Sequence, residues 1–71
     1  MTLSEALKRF RKHCNITQVQ AAHAANISER NYQAYESGKV TPSAKVIIDL
    51  SNYTCVSADF ILGLSDNPDR R

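Results

Sequence analysis

Apolar residues recur at helical spacing in five short stretches of the chain, and polar residues fill the positions between them. In the first stretch Leu7, Phe10 and Cys14 lie three or four residues apart, which is the spacing of one face of an α-helix. The capping box Thr2-x-x-Glu5 precedes them. We therefore predict a first helix that ends near Cys14, where Asn15 is suited to a left-handed turn.

A second capping box, Thr17-x-x-Gln20, opens another short helix. Its inward face is predicted to consist only of alanines: Ala21, Ala22 and Ala25. Asn26 follows where a left-handed turn is expected, and Ser28 is a good N-cap for the next helix. Small residues on the first of two such helices let the second cross it closely, so the sequence predicts a helix-turn-helix.

The second helix of this pair is predicted over about 28–37, and Gly38 ends it. Tyr32 and Tyr35 lie three residues apart and mark its buried face. The same periodicity turns the following side chains outward: Glu29, Arg30, Gln33, Ala34 and Ser37.

This outward face has the side chains that read base edges in a DNA major groove. Arg30 can donate two hydrogen bonds to guanine O6 and N7, and Gln33 or Asn31 can pair in the same way with adenine N6 and N7. Glu29 can accept a hydrogen bond from cytosine N4, and Ala34 can contact a thymine methyl group. A solvated helix face carries similar residues, and it is the preceding turn that favours groove reading here.

Two more helices complete an all-α fold of five short helices without strands. Ser43 begins the fourth helix, and Ser57 caps the fifth, which Gly63 ends. From 65 to 71 the chain is polar and is expected to be a frayed tail, which places the domain at 1–64. The apolar positions predicted to face the core in these helices are Val46, Ile47, Leu50, Phe60 and Ile61.

Size and composition exclude several classes of protein. A 71-residue chain makes one domain and buries only about 60% of its unfolded surface, so a deep enzyme pocket is not expected. No apolar stretch approaches the roughly 20 residues of a membrane span, and the basic residues Lys8 and Arg9 occupy the place of a signal peptide's apolar core. We expect a cytoplasmic protein, associated with the nucleoid through DNA.

The two cysteines, Cys14 and Cys55, lack CxxC spacing and are expected to be buried, reduced thiols. Together with His13 and His23 they match no zinc pattern, so we expect no metal and no cofactor. A nucleophile–base pair, a carboxylate pair and a phosphate-binding loop are also missing from the sequence, and an enzyme is not expected.

Charge is distributed unevenly, although the net charge is only +2. Between residues 8 and 45 there are seven basic residues and two acids, whereas residues 46–69 contain four acids and no lysine or arginine. A basic half suits an anionic polymer, with the acidic half turned away from it. The main candidates for a merely solvated basic face are Lys8, Arg9 and Lys12.

Several fragments in a defined order carry a family resemblance: Ile16-Thr17-Gln18, Ala22, Ile27-Ser28, Tyr35-Glu36-Ser37-Gly38-Lys39, Pro42-Ser43 and Val56-Ser57-Ala58-Asp59-Phe60-Ile61-Leu62-Gly63. Together they resemble the Cro/repressor (XRE-type) helix-turn-helix family over about residues 3–64. The resemblance implies a lambda repressor-like fold and a DNA-binding function.

The resemblance also implies roles for individual residues. Gln18 is similar to the family glutamine that touches a phosphate and braces the recognition helix. Arg11 and Glu36 occupy positions that form a partly buried ion pair in many members. Lys39 is similar to a loop residue that contacts the DNA backbone. Further phosphate contacts near the start of the fourth helix are expected from Thr41, Ser43 and Lys45.

Some positions depart from the family pattern. Alanines stand at 21 and 25, where larger aliphatic residues are usual, and Tyr32 replaces an aliphatic residue. We interpret this as volume compensation, which requires Tyr32 to be buried. Asn15 and Asn26 stand where glycine is common, and both keep a left-handed turn feasible.

These observations predict a transcriptional regulator, a repressor of phage or bacterial type, that binds a near-palindromic operator as a homodimer. Two other functions remain open: an antitoxin or other protein-interaction module with the same fold, and a domain that has lost DNA binding. The dimer surface is predicted at the fifth helix and just beyond it, although these residues can instead close the monomer core: Phe60, Ile61, Leu62 and Leu64.

Overall fold

A computed structural model describes residues 1–69 of the chain, and five α-helices make up the regular structure of that part. Their bounds are α1 Leu3–Cys14, α2 Gln18–Ala24, α3 Glu29–Glu36, α4 Ala44–Thr54 and α5 Ala58–Leu62. The predicted all-α class and the number of helices are confirmed. Within the described residues, no helix has the length and apolar character needed to cross a membrane.

A hydroxyl side chain begins each helix. The side-chain oxygens of the five N-cap residues accept hydrogen bonds from backbone N–H groups three residues further on, and the capping boxes predicted for α1 and α2 both form. One such cap stabilises a helix by about 1 kcal/mol, which matters in helices of only five to twelve residues. The capping residues are Thr2, Thr17, Ser28, Ser43 and Ser57.

Left-handed residues make the turns between the helices tight. Asn15, Asn26 and Cys55 have φ angles of 56°, 60° and 59°, which confirms the predicted turn positions of the two asparagines. Gly63 has a φ of 82°, and a Cβ atom there would lie 3.0 Å from the Cβ of Ala6. Glycine therefore lets the end of α5 pack directly against α1.

The thiol groups differ from expectation at one position. Cys14 is half-buried and Cys55 is exposed, and both are free. The prediction that both are buried is therefore wrong for Cys55, because its left-handed position at the end of α4 lies on the surface. Among the described residues, no group of three histidine, cysteine or acidic side chains is arranged as metal ligands would be.

The core lies between α1, the α2–α3 pair, α4 and α5. Tyr32 has no exposed surface and is the largest fully buried side chain, packed in one cluster with the small residues Ala21, Ala22 and Ala25. The volume-compensation hypothesis required this burial, and the burial is confirmed. Tyr35 is only half-buried, and its ring meets that of Tyr32 edge to face at 6.4 Å between centroids.

Residues 65–69 fold back onto the start of α5 rather than fraying. The backbone N–H of Ser57 donates to the carbonyl of Pro68 at 2.9 Å, and its hydroxyl donates to the carbonyl of Asn67. Val56 and Asp69 form an isolated antiparallel bridge. The expectation of a frayed tail is therefore wrong for these residues, and positions 70 and 71 of that predicted tail lie outside the described residues.

Arg9 holds this segment in place. One guanidinium nitrogen donates to the carbonyls of Phe60 and Ser65 at 3.0 and 2.9 Å, and another lies 2.9 Å from the Asp66 carboxylate. The guanidinium carbon also lies 4.1 Å from the centroid of the Phe60 ring. Arg9 is thus a structural clamp, and its assignment to a solvated basic face is wrong.

The fifth helix gives most of its apolar surface to the monomer core. Phe60 is 4% exposed and Ile61 is fully buried, so neither is available to form a dimer surface. Of the two alternatives left open for Phe60 and Ile61, the closed monomer core therefore holds for both, as their predicted core positions indicated. Leu62 is half-buried, and Leu64 remains 75% exposed.

Candidate DNA-binding surface

The α2–turn–α3 unit has the geometry that the sequence predicts. Ala25 caps the end of α2, Asn26 takes the left-handed conformation, and the N–H of Ile27 donates to the carbonyl of Ala22 at 3.0 Å. Ser28 then caps α3. This short turn brings α3 across α2, and the alanines of α2 allow the close approach.

Only two side chains of α3, those of Tyr32 and Glu36, are buried. They anchor the helix from behind and leave its opposite side in solvent. Within residues 1–69, the Arg30 side chain makes no hydrogen bond and no ion pair, so its guanidinium is available to a ligand. The exposed residues of the predicted reading set are Glu29, Arg30, Asn31 and Gln33, and Ala34 is half-buried.

Ser37 was predicted to point outward with this set. It is exposed, but its hydroxyl donates back to the carbonyl of Ala34 at 3.0 Å. The backbone N–H of Lys39 donates to the same carbonyl at 3.0 Å, which fixes the loop at the end of α3. This bond fixes the backbone of Lys39 just beyond the end of α3, and its side chain is exposed.

An ion pair connects α1 to the end of α3. Arg11 Nε lies 2.8 Å from Glu36 Oε2, and the Glu36 side chain is 3% exposed. Burial by itself would raise the pKa of Glu36, but hydrogen bonds from Arg11 and Gln18 contribute to lowering it below its ordinary value. The carboxylate hydrogen bond in turn raises the pKa of Arg11. The ion pair expected from the family resemblance is confirmed.

The Tyr32 hydroxyl lies close enough to the Glu36 carboxylate to influence its pKa. The hydroxyl oxygen is buried, and it forms no hydrogen bond with a described residue. Burial raises the pKa of Tyr32 far above its ordinary value, so the hydroxyl stays protonated. The Tyr32 hydroxyl is therefore a neutral polar group buried among the contacts that anchor α3.

Three further hydrogen bonds lead from this ion pair to the surface of α3. Gln18 Nε2 donates to Glu36 Oε1 at 3.1 Å, and Gln33 Nε2 lies 3.4 Å from Gln18 Oε1. Gln33 Nε2 also donates to Glu29 Oε2 at 3.2 Å. The predicted bracing of the recognition helix by Gln18 is confirmed, and its contact with a phosphate stays a prediction.

Sequence reasoning missed most of this hydrogen-bond chain. The sequence spacing does indicate the Glu29–Gln33 bond, because residues four apart on a helix are neighbours on its surface. The Gln18–Gln33 bond joins residues of two different helices, and no local pattern indicates it.

The remaining candidate phosphate contacts follow α3 along the chain and are all exposed: Lys39, Thr41, Ser43 and Lys45. Ser43 Oγ accepts from the N–H of Val46 as the cap of α4, which leaves its hydroxyl hydrogen free to donate. Lys45 Nζ lies 2.8 Å from Asp49. In residues 1–69, no hydrogen bond or ion pair joins Thr41, Ser43 or Lys45 to α3.

Ion pairing reduces the positive charge that this surface offers. Three of the seven basic residues between positions 8 and 45 are neutralised by carboxylates: Arg9, Arg11 and Lys45. The other four are exposed and without an ion pair to any described residue: Lys8, Lys12, Arg30 and Lys39. The basic half of the sequence is therefore less basic in three dimensions than its composition indicates.

Comparison with known proteins relates the α2–turn–α3 unit to a known family. A family model described as helix-turn-helix matches residues 7–61, which includes both helices of the unit and most of the core. The chain is 41% identical over 59 residues to YqaE, an uncharacterized HTH-type transcriptional regulator of Bacillus subtilis, with 83% of this chain and 51% of YqaE covered.

It is also 33% identical over 63 residues to RstR, a cryptic phage CTXphi transcriptional repressor of Vibrio cholerae, with 89% of this chain and 56% of RstR covered. A crystal structure of a transcriptional regulator from Listeria innocua superimposes with a TM-score of 0.74 at 28% identity, covering 92% of this chain and 61% of that one. The chain spans about half the length of the curated relatives it matches.

Proposed function

This chain belongs to the helix-turn-helix family of transcriptional regulators, and we propose that it is a sequence-specific repressor that places α3 in the major groove of an operator. The observation that carries the proposal is the arrangement of α3. Tyr32 and Glu36 anchor it from behind, while Arg30 is exposed and unpaired with any described residue. The similarity to the phage repressor RstR favours repression over activation.

In this function α3 supplies the base contacts. The fork of Arg30 matches guanine O6 and N7, and a bidentate contact of this kind discriminates against a wrong base by about 1–3 kcal/mol. Asn31 is exposed beside it and suits adenine. The full proposed reading set is Glu29, Arg30, Asn31, Gln33 and Ala34.

Phosphate contacts then position the domain on the duplex. Gln18 gives one N–H to Glu36, and the second hydrogen of the same amide nitrogen remains for a phosphate oxygen. Lys39 at the end of α3 adds a free positive charge. Three residues around the start of α4 complete the proposed phosphate set: Thr41, Ser43 and Lys45.

A single module of this size buries only about 600–1,000 Å² on DNA, so we propose that the protein binds as a homodimer to a near-palindromic operator with half-sites ~34 Å apart. Leu64, which is largely exposed, and the half-buried Leu62 are the residues of the predicted dimer surface that remain accessible. The protein would act in the cytoplasm on nucleoid DNA, as a binding protein without a catalytic role.

Selection from a random duplex library at one fixed salt concentration tests the proposal. The expected result is a two-fold symmetric consensus whose half-sites are about one helical turn apart. Binding of the selected duplex should weaken as salt rises, because phosphate contacts release counterions. Failure to enrich any sequence, together with a salt slope near zero, would contradict DNA binding and favour a protein-interaction module.

A further inference from the structure

A chain of hydrogen bonds runs from the buried carboxylate of Glu36 to the surface of α3. The chemistry of its groups fixes which atom donates and which accepts in each bond. An ionised carboxylate can only accept hydrogen bonds. The amide of Gln18 must therefore turn its nitrogen toward Glu36 Oε1, 3.1 Å away. This leaves Gln18 Oε1 facing the other way, as an acceptor.

The amide of Gln33 is oriented by both of its neighbours. Gln18 Oε1, at 3.4 Å, can only accept, and so can the Glu29 carboxylate, whose Oε2 lies 3.2 Å from the same nitrogen. Both of these acceptors thus require the amide nitrogen of Gln33, and not its oxygen, to face them. Because an amide nitrogen has two hydrogens, both are used, and only the oxygen of Gln33 remains free.

The outward surface at these two residues therefore offers acceptors and no donors. Glu29 contributes its second carboxylate oxygen, and Gln33 contributes its amide oxygen. Both side chains are exposed. This differs from the bidentate adenine contact that an isolated glutamine can make, because that contact needs the amide nitrogen to donate to adenine N7.

We propose that Glu29 and Gln33 form a joint acceptor face that selects cytosine. Gln18 is the positioning residue, because it binds the amide nitrogen of Gln33 and so leaves the amide oxygen facing outward. The inference rests on the proposed DNA-binding function. Cytosine offers the major groove a single N4 amino donor. Adenine places the N7 acceptor beside its amino group, and guanine and thymine present acceptors that would meet acceptors here.

The test uses the chain of residues 1–71 and four variants: Gln33→Ala, Gln18→Ala, the double variant with both changes and, as a control at an exposed position of α4 outside the proposed DNA contacts, Tyr53→Ala. Each protein is titrated at fixed salt against the selected operator and against operators with every single-base change in one half-site. Thermal unfolding confirms that each variant is folded before binding is compared.

The wild-type protein is expected to prefer cytosine at one position by roughly tenfold. Gln33→Ala should abolish the preference at that same position. Gln18→Ala should reduce it there, because it frees one hydrogen of the Gln33 amide to donate. The double variant should relax the preference no further than Gln33→Ala alone. Tyr53→Ala should leave it intact. A purely structural or phosphate-contacting Gln18 would instead weaken all sequences equally.

The outcomes separate this inference from the function on which it rests. If the selected operator has adenine, guanine or thymine at the position where Gln33→Ala changes the preference, the acceptor face is contradicted, while the proposed DNA-binding function is not. If Gln18→Ala lowers the affinity for all operators equally, Gln18 is not a positioning residue. A chain that shows no sequence preference at any position overturns both the acceptor face and the proposed function.

Discussion

Arg11 and Glu36 form a short ion pair, 2.8 Å between Nε and Oε2, that joins the last turn of α1 to the last residue of α3. The pair is shielded from solvent mainly on the glutamate side, where the side chain is 3% exposed against 28% for the arginine. Removing one partner of a buried pair costs about 3–5 kcal/mol, a large share of a small domain's stability. The anchoring of α3 thus depends on one buried charge.

The stability of the domain should therefore fall in acid. The pKa of Glu36 is lower in the folded chain than its ordinary value of 4.5, so its stabilising contribution is present above pH 4.5 and is lost as the pH falls through the folded pKa. We expect the free energy of unfolding, measured with urea, to decrease below about pH 4.5.

Glu36→Gln provides the comparison for this effect, since it removes the titrating group and keeps the shape. Its stability should be lower at pH 7 and should change less between pH 5 and pH 3 than that of the wild type. Glu5, whose pKa is also lowered by its capping-box hydrogen bonds, is present in both proteins, so the difference isolates Glu36. Parallel pH curves would contradict this assignment.

Tyr32→Phe should leave stability unchanged or raise it by up to about 1 kcal/mol, because it removes a buried hydroxyl that makes no hydrogen bond and keeps the ring. Tyr32→Ala should cost about 3–5 kcal/mol, since it empties the largest side-chain volume in the core. Chemical denaturation measures both. A loss above about 1 kcal/mol in Tyr32→Phe would mean that the hydroxyl donates to Glu36.

Arg9→Ala should release residues 65–69 from the body of the domain and cost about 1–3 kcal/mol, because it removes two carbonyl hydrogen bonds and the contact with Phe60. The local measurement is hydrogen exchange at the Ser57 amide, which donates to Pro68 and should lose protection. Lys8→Ala, at an exposed neighbouring position of α1, is the control and should change neither quantity. Unchanged Ser57 protection in Arg9→Ala would show that the segment does not depend on the clamp.

Arg30→Ala should relax sequence preference at one operator position at a cost of about 1–3 kcal/mol, and leave the domain as stable as before. Arg30→Lys keeps the positive charge but loses the planar fork, so it should lose most of the same preference while retaining the salt dependence. Competition binding against single-base operator variants measures this. If every base preference survives in both variants, Arg30 does not read bases.

Lys39→Ala should weaken binding to all duplexes about equally and reduce the slope of log K against log salt by about one unit, as expected for one lost phosphate contact. Lys12→Ala, an exposed lysine on α1, is the control and should leave the slope nearly unchanged. A loss confined to particular operator sequences would instead place Lys39 among the base-reading residues.

Much of the architecture was predictable because its signals are local. A hydroxyl at an N-cap, an asparagine or glycine at a left-handed position and apolar residues three or four apart each act within one turn of helix. The N-caps at Ser28 and Ser57 and the turn at Asn26 all follow such signals, and all agree with the structure.

The errors concern residues whose environment depends on distant parts of the chain. Arg9 looks like one of several solvated basic residues until Ser65 and Asp66, more than fifty positions away, fold back onto it. Phe60 has the same apolar character in a core as in a dimer surface, and periodicity does not distinguish the two.

The sequence alone determined the order, the beginnings and the ends of the helices, and with them the helix-turn-helix and the outward position of Arg30, because these depend on interactions among near neighbours. Tertiary structure alone decided that Arg9 pairs with Asp66 and which way the amide of Gln33 faces. Both depend on contacts between residues far apart in the sequence or on different helices, and such contacts exist only once the chain is packed.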